Sequence, residues 1–176
     1  MVKRAKYHDG RNRAYHADLV SRRESPLRHG FTLIDLTVTV LIIGIIGAVA
    51  IPRYAETLNR YRAESAAKRI VADLTLARQQ AMSSSASQTV RFTTPAANSY
   101  TLVGMSDLNH SSATYVVDLS ASPYNTSINS ANFGGDADLI FNGFGIPDSN
   151  GSVVVVSGGY KVTVTVDPDT GKATIP

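Results

Sequence analysis

Residues Arg28 to Pro52 read Arg-His-Gly-Phe-Thr-Leu-Ile-Asp-Leu-Thr-Val-Thr-Val-Leu-Ile-Ile-Gly-Ile-Ile-Gly-Ala-Val-Ala-Ile-Pro. A basic segment ends in Gly30, an aromatic residue follows, then one acid, then a long apolar run. Asp35 is the only ionisable residue among the 21 from Phe31 to Ile51. As an α-helix at about 1.5 Å per residue this stretch is about 31 Å long, close to the roughly 30 Å hydrocarbon core of a bilayer. A helix also satisfies its own backbone hydrogen bonds there. The alternative is a buried core helix. A helix apolar on every side needs a large domain around it, and 176 residues hardly supply one. The stretch therefore predicts insertion into a membrane or a filament core.

The same residues resemble the cleavage signal of type IV prepilins: a basic leader, Gly30, Phe31, an acid at the fifth position after the glycine, and the apolar run. That resemblance implies a cut after Gly30 by a membrane prepilin peptidase and methylation of the new N-terminal Phe31. It also implies that the apolar segment first anchors the subunit in the bacterial inner membrane and then packs in a filament core. The family's acid is usually glutamate, and here it is Asp35. The leader, residues 1–30, is long for that family.

Charge divides at the same place. Met1 to Gly30 holds eight basic and three acidic residues, a net charge of +5, whereas the remainder holds nine basic and eleven acidic, a net −2. The sequence pI of 9.3 thus belongs largely to a segment that processing would remove. A nucleic-acid partner inferred from that pI would be misplaced. A basic leader suits a cytoplasmic N-terminus, although Arg53, Arg60, Arg62, Lys68 and Arg69 follow the apolar run; the prepilin resemblance implies a C-terminal domain in the periplasm. The chain has no cysteine, and only His110 of its four histidines lies after Gly30, which leaves no clustered ligands for a zinc enzyme.

Beyond Pro52 the pattern changes. Ala63, Ala67, Ile70, Leu74, Ala77 and Ala81 recur at steps of four and three and draw one apolar stripe along a helix. Arg60, Glu64, Lys68, Asp73 and Arg78 read as lying off it, with Glu64 and Lys68 spaced as an i,i+4 ion pair. Ser83-Ser84-Ser85 ends the signal, so one helix is predicted from Phe31 to about Met82: a membrane segment over 31–51 and an amphipathic continuation over 52–82. Pro52 lies at the junction, and Gly44 and Gly47 weaken the turns before it. Two readings of Pro52 stay open. It marks the membrane boundary, or, as the prepilin resemblance implies, it bends or locally melts the helix during filament packing.

Strands follow. Gln88–Phe92, Tyr100–Val103, Thr114–Leu119, Leu139–Phe141, Ser152–Val156, Lys161–Val166 and Lys172–Ile175 are short and rich in β-branched or aromatic residues. Lys161, Thr163 and Thr165 alternate with Val162, Val164 and Val166, the pattern of a strand with one wet face. The span 120–138, rich in Asn, Ser and Ala, reads as a loop. The expected fold is α+β: a long N-terminal helix carrying a C-terminal antiparallel β domain over 83–176.

This order resembles the GspH/FimT-type minor pseudopilins of type II secretion and type IV pilus systems. The carrying residues are the alanine-rich phrase from Arg62 to Ala81, Val90-Arg91-Phe92 as a first strand, and Leu139-Ile140-Phe141-Asn142-Gly143-Phe144-Gly145 as a late glycine turn. The resemblance implies a structural subunit, not an enzyme, whose partners are the prepilin peptidase, other pseudopilins and the inner membrane. It assigns Gly30 and Phe31 to cleavage and methylation. Asp35 is assigned to assembly through the free amine of Phe31 in a neighbouring subunit; the bland alternative is an acid favoured by the positive end of the helix.

The implied role is the initiation or tip of a periplasmic pseudopilus that drives protein export. The alternative is a FimT-like minor pilin that captures DNA for uptake. Against it, Gln88 to Pro176 holds three basic and seven acidic residues, whereas phosphate contacts dominate such binding. A secretory signal cut after Ala48-Val49-Ala50 is a third reading, but it leaves Gly30 to Asp35 as a coincidence. No nucleophile and base pair up, and no cofactor is expected. Calcium is the ligand to weigh at Asp167-Pro168-Asp169-Thr170-Gly171 and Gly135-Asp136-Ala137-Asp138. It needs several convergent oxygens, and two aspartates in a turn read first as turn chemistry.

Overall fold

The computed structural model describes residues 30–94, 97–107 and 112–176. The expectations placed on the leader before Gly30 and on His110 lie outside these residues. The chain forms two units, one ending at Ile43 and one running from Gly44 to Pro176.

Helix α1 (Leu33–Ser84) begins in the first unit and continues through the second, with Pro52 inside it. In the first unit it starts with Thr32 as its cap. Phe31, Leu33, Ile34, Leu36, Val38, Val40, Leu41, Ile42 and Ile43 are all exposed. This is the one helix among the described residues long and apolar enough to cross a membrane. The two threonines in its apolar first part do not spoil that. The Thr37 hydroxyl donates to the Ile34 carbonyl and the Thr39 hydroxyl to the Asp35 carbonyl, so neither needs water.

In the second unit eight strands follow: β1 (Gln88–Thr93), β2 (Ser99–Ser106), β3 (Thr114–Asp118), β4 (Ser127–Phe133), β5 (Asp138–Phe141), β6 (Gly151–Ser157), β7 (Tyr160–Val166) and β8 (Ala173–Thr174). They form two four-stranded antiparallel sheets, in the orders β3-β2-β1-β5 and β4-β6-β7-β8. The expected antiparallel β domain is thus built from two sheets. The predicted alanine stripe is buried throughout, with Ala66 added to it. It shares one core with Val90, Tyr100, Leu102 and Leu139 of the first sheet and Val153, Val155 and Val164 of the second.

The end of α1 explains why Ser83 to Ser85 stop it. Ser85 takes a positive φ of 52°, and the Ala86 N–H bonds back to the Ala81 carbonyl at 3.2 Å, a Schellman closure without the usual glycine. The Ser83 and Ser84 hydroxyls both donate to the Gln80 carbonyl, folding these side chains back onto the last turn.

The span 120–138 corrects the sequence reading, because β4 lies inside it. Its residues, Ser-Ile-Asn-Ser-Ala-Asn-Phe, have poor strand propensity. Only Ile128 and Phe133 are buried, and a register shift between Ile128 and Ser130 breaks the alternation that would have marked a strand. Pairing with the valine-rich β6 supplies what propensity lacks. The Asn98 side-chain carbonyl also receives the Ile128 N–H, tying the strand's start to the other sheet.

Candidate functional site

The processing and assembly residues expected from the sequence meet at the start of α1. Gly30 and Phe31 are exposed, Phe31 at 82%. Thr32 and Asp35 form a reciprocal cap. The Thr32 hydroxyl and N–H both donate to Asp35 Oδ2, at 2.7 and 3.2 Å, while the Asp35 N–H donates to Thr32 Oγ1 at 3.2 Å. A Thr-x-x-acid box before an apolar run is readable from sequence, and the reading of Asp35 had missed it. The cap gives Asp35 a local role at the positive helix end, and its observed bonds use Oδ2. Thr32 thus enters the site as a residue that sequence reasoning overlooked.

Gly44, Gly47 and Pro52 lie farther along. α1 is unbroken at all three. A Cβ added at Gly44 or Gly47 would meet nothing within 4 Å, so packing inside this chain does not demand glycine there. Pro52 has no N–H for the Ala48 carbonyl, which leaves one rung of the helix open.

The globular part holds a buried polar cluster that the helical wheel had misplaced. Asp73, expected off the stripe, is only 4% exposed. It lies between Ile70 and Ala77 at steps of three and four, so it belongs to the core face. Its carboxylate accepts three bonds: from the Tyr100 hydroxyl at 2.5 Å, the Tyr115 hydroxyl at 2.9 Å and Arg69 Nε at 2.9 Å. The Tyr115 hydroxyl in turn accepts from Arg69 at 2.8 Å. Each buried polar atom is thereby satisfied, which such a cluster needs if it is not to cost stability. Burial and the adjacent Asp73 charge push the Tyr100 hydroxyl far above its ordinary value, and they raise Tyr115 as well. Burial disfavours the Arg69 charge, but Asp73 outweighs it and holds the guanidinium firmly protonated. The cluster pins one helix face to β2 and β3.

A second fixture is the late glycine turn. The Asn142 side-chain carbonyl accepts the N–H groups of Phe144 and Ile146, and Arg78 Nε donates to the Gly145 carbonyl at 3.1 Å. Gly145 has a φ of +76° and packs on Arg78 and Met82, while an added Cβ at Gly143 would lie 2.9 Å from the Ser85 carbonyl carbon. The turn therefore needs glycine at both positions.

Several charges elsewhere have partners within the chain. Glu64 pairs with Arg60 at 2.9 Å, not with Lys68 as the spacing had suggested. Arg91 holds Asp138 with both Nε and a terminal nitrogen across the β1–β5 pairing. Asp167 Oδ1 accepts two N–H groups and the Thr170 hydroxyl inside its own turn, which lowers its pKa. Asp136 caps the Asp138 N–H. Among the described residues no three potential metal ligands converge.

Comparison with known proteins places this architecture. Two crystal structures of the type IV minor pilin FimU of Pseudomonas aeruginosa, strain PAO1, are similar in fold. In space group P21 the match covers 66% of this chain and 90% of that chain, with 15% identity and a TM-score of 0.51. In space group P65 it covers 64% and 91%, with 12% identity and a TM-score of 0.46. No curated protein sequence matches the chain. The family model for type II transport protein GspH matches residues 66–170. That range is more than half of the chain, and it takes in the buried stripe from Ala66, strands β1 to β7 and the Asn142–Gly145 turn. The chain is therefore a pilin-like protein and belongs to the GspH family of type II transport proteins.

Proposed function

We propose that this chain is a structural minor pseudopilin of a type II secretion-like system. Prepilin peptidase cuts between Gly30 and Phe31, and Phe31 is N-methylated. Residues 31–51 then hold the subunit in the inner membrane, with its N-terminus cytoplasmic and its C-terminal domain periplasmic. The subunit joins the start or tip of a periplasmic pseudopilus whose growth drives protein export. The observation that carries the reading is a helix start with every large apolar side chain exposed, in a chain of the GspH family. Such a surface has to be covered by lipid or by other subunits.

The DNA-uptake alternative finds little support in charge. Of the three basic residues after Gln88, Arg91 is already held by Asp138. Asp35 carries two roles in this proposal: the cap observed with Thr32, and a bond to the Phe31 amine of a neighbour. Two substitutions separate them. Thr32→Val removes the cap but keeps the carboxylate; Asp35→Ala removes both. Cells carrying each variant are scored for membrane insertion, crosslinking to other pseudopilins and secretion. Both variants should insert. Thr32→Val and Asp35→Glu should assemble, and Asp35→Ala should not, because the amine is then buried without a partner. If Asp35→Ala assembles and secretes like wild type, the pairing role is wrong. If loss of the chain spares secretion and abolishes DNA uptake, the secretion reading is wrong.

A further inference from the structure

Between Ile51, where the apolar segment ends, and Ala63, where the core begins, α1 contains no buried residue. Side chains on these turns repeat at a spacing of seven. Arg53 and Arg60 share one helix face, and Tyr54 and Tyr61 share the neighbouring one. Tyr54 and Tyr61 are 72% and 69% exposed. The next residue on the tyrosine line, Lys68, is exposed, so packing within this chain leaves that face uncovered, whereas Arg60 lies on the line of the buried Ala67, Leu74 and Ala81. Residues 52–62 hold three arginines and one acid, Glu56. Arg60 is steadied by Glu64 and by the Tyr160 ring, 5.6 Å from its guanidinium carbon.

Exposed tyrosine beside arginine, directly after a membrane-length apolar segment, is the chemistry of a bilayer interface. Tyrosine places its ring at headgroup depth, and arginine pairs with phosphate. The distances suit this. Arg53 lies about 3 Å past Ile51 along the helix and Arg60 about 13 Å past it. Helical side chains lean toward the N-terminus, and the headgroup layer is about 5 to 8 Å deep on each side. Arg53 and Tyr54 thus lie within the layer, whereas Arg60 is held by Glu64 and Tyr160.

We propose that the Arg53–Tyr61 face of α1 docks on anionic phospholipid headgroups of the outer leaflet, holding the subunit upright at the membrane before it is drawn into a filament. The proposal rests on the membrane reading of residues 31–51. Its occupant is chosen by continuity with that segment and by charge. The other candidate occupant, a neighbouring subunit, is an outcome of the test.

Full-length protein is placed in lipid nanodiscs at one copy per disc, in phosphatidylglycerol or in phosphatidylcholine, and backbone hydrogen exchange is followed by mass spectrometry. An arginine at an anionic surface contributes about a fivefold equilibrium effect. Amides of residues 54–61 should therefore exchange about fivefold or more slowly in phosphatidylglycerol. The difference should vanish in about 1 M salt, where the screening length falls to about 3 Å. It should disappear in Arg53→Gln. Equal exchange in the two lipids, with residues 33–51 protected in both, overturns the headgroup contact and leaves the anchor intact. Protection that depends on several copies per disc and not on lipid charge also overturns it, because the face is then a subunit interface. Rapid exchange of residues 33–51 in every disc overturns the membrane reading itself, and the proposal with it.

Discussion

Asp73 offers the sharpest test of how the globular part is held together. Replacing it with alanine removes the acceptor of three bonds at once. The Tyr100 hydroxyl, in a residue with no exposed surface, then has no partner, and Arg69 loses its counter-charge. A buried hydroxyl left unpaired costs about 1 to 3 kcal/mol. A broken buried ion pair costs about 3 to 5 kcal/mol. The Arg69 side chain is 38% exposed, so water screens that loss and the lower end applies. The expected destabilisation is about 3 kcal/mol, or a fall in Tm on the order of 10 °C for a domain of this size. Tyr100→Phe, which leaves Asp73 two of its donors, should cost about 1 to 2 kcal/mol. The assay is urea unfolding of the segment from Arg53 onward, followed by circular dichroism, for both single variants and the double. The two losses should be strongly non-additive, because Asp73→Ala already removes what Tyr100→Phe removes. The reasoning is refuted if Asp73→Ala unfolds within about 0.5 kcal/mol of wild type, the range of an ordinary surface substitution.

Alkaline pH should act on the same cluster. The folded chain keeps the Tyr100 proton that an unfolded tyrosine releases near pH 10, so its contribution is whole below about pH 10 and declines above it. Urea midpoints should hold steady from neutral pH to about 9 and then fall, more steeply for wild type than for Tyr100→Phe. Gly145→Ala should cost about 2 kcal/mol, since it forces a side chain into a positive-φ position facing Met82 and Arg78, whereas Phe144→Ala, at an exposed tip, should cost under about 0.5 kcal/mol. Parallel thermal melts of the two variants check this pair.

Much of the architecture was legible in the sequence because strong periodic signals govern it. The Ala63 to Ala81 stripe and the alternation from Lys161 to Val166 each specify one environment, and the structure supplies both, with the stripe and the three valines buried. The failures have one physical character: the deciding partner is distant in sequence. Asp73 reads as a surface charge until Tyr100 and Tyr115, 27 and 42 residues away, close over it. β4 reads as a loop until β6 pairs with it. Glu64 had two basic neighbours at four-residue spacing, and only side-chain packing beside Tyr160 decides for Arg60. The Thr32–Asp35 cap is different, because it is local and was open to a sequence reading. The prepilin-like role of Asp35 drew attention away from its neighbour three residues back.

The central claim is that this chain is a processed, membrane-anchored filament subunit. Intact mass and N-terminal sequencing of the protein extracted from membranes test it most directly. The account predicts a chain that begins at N-methylated Phe31, and an uncut chain when Gly30→Leu blocks the junction. A mature chain that begins at Ile51, released into the soluble fraction, would contradict it.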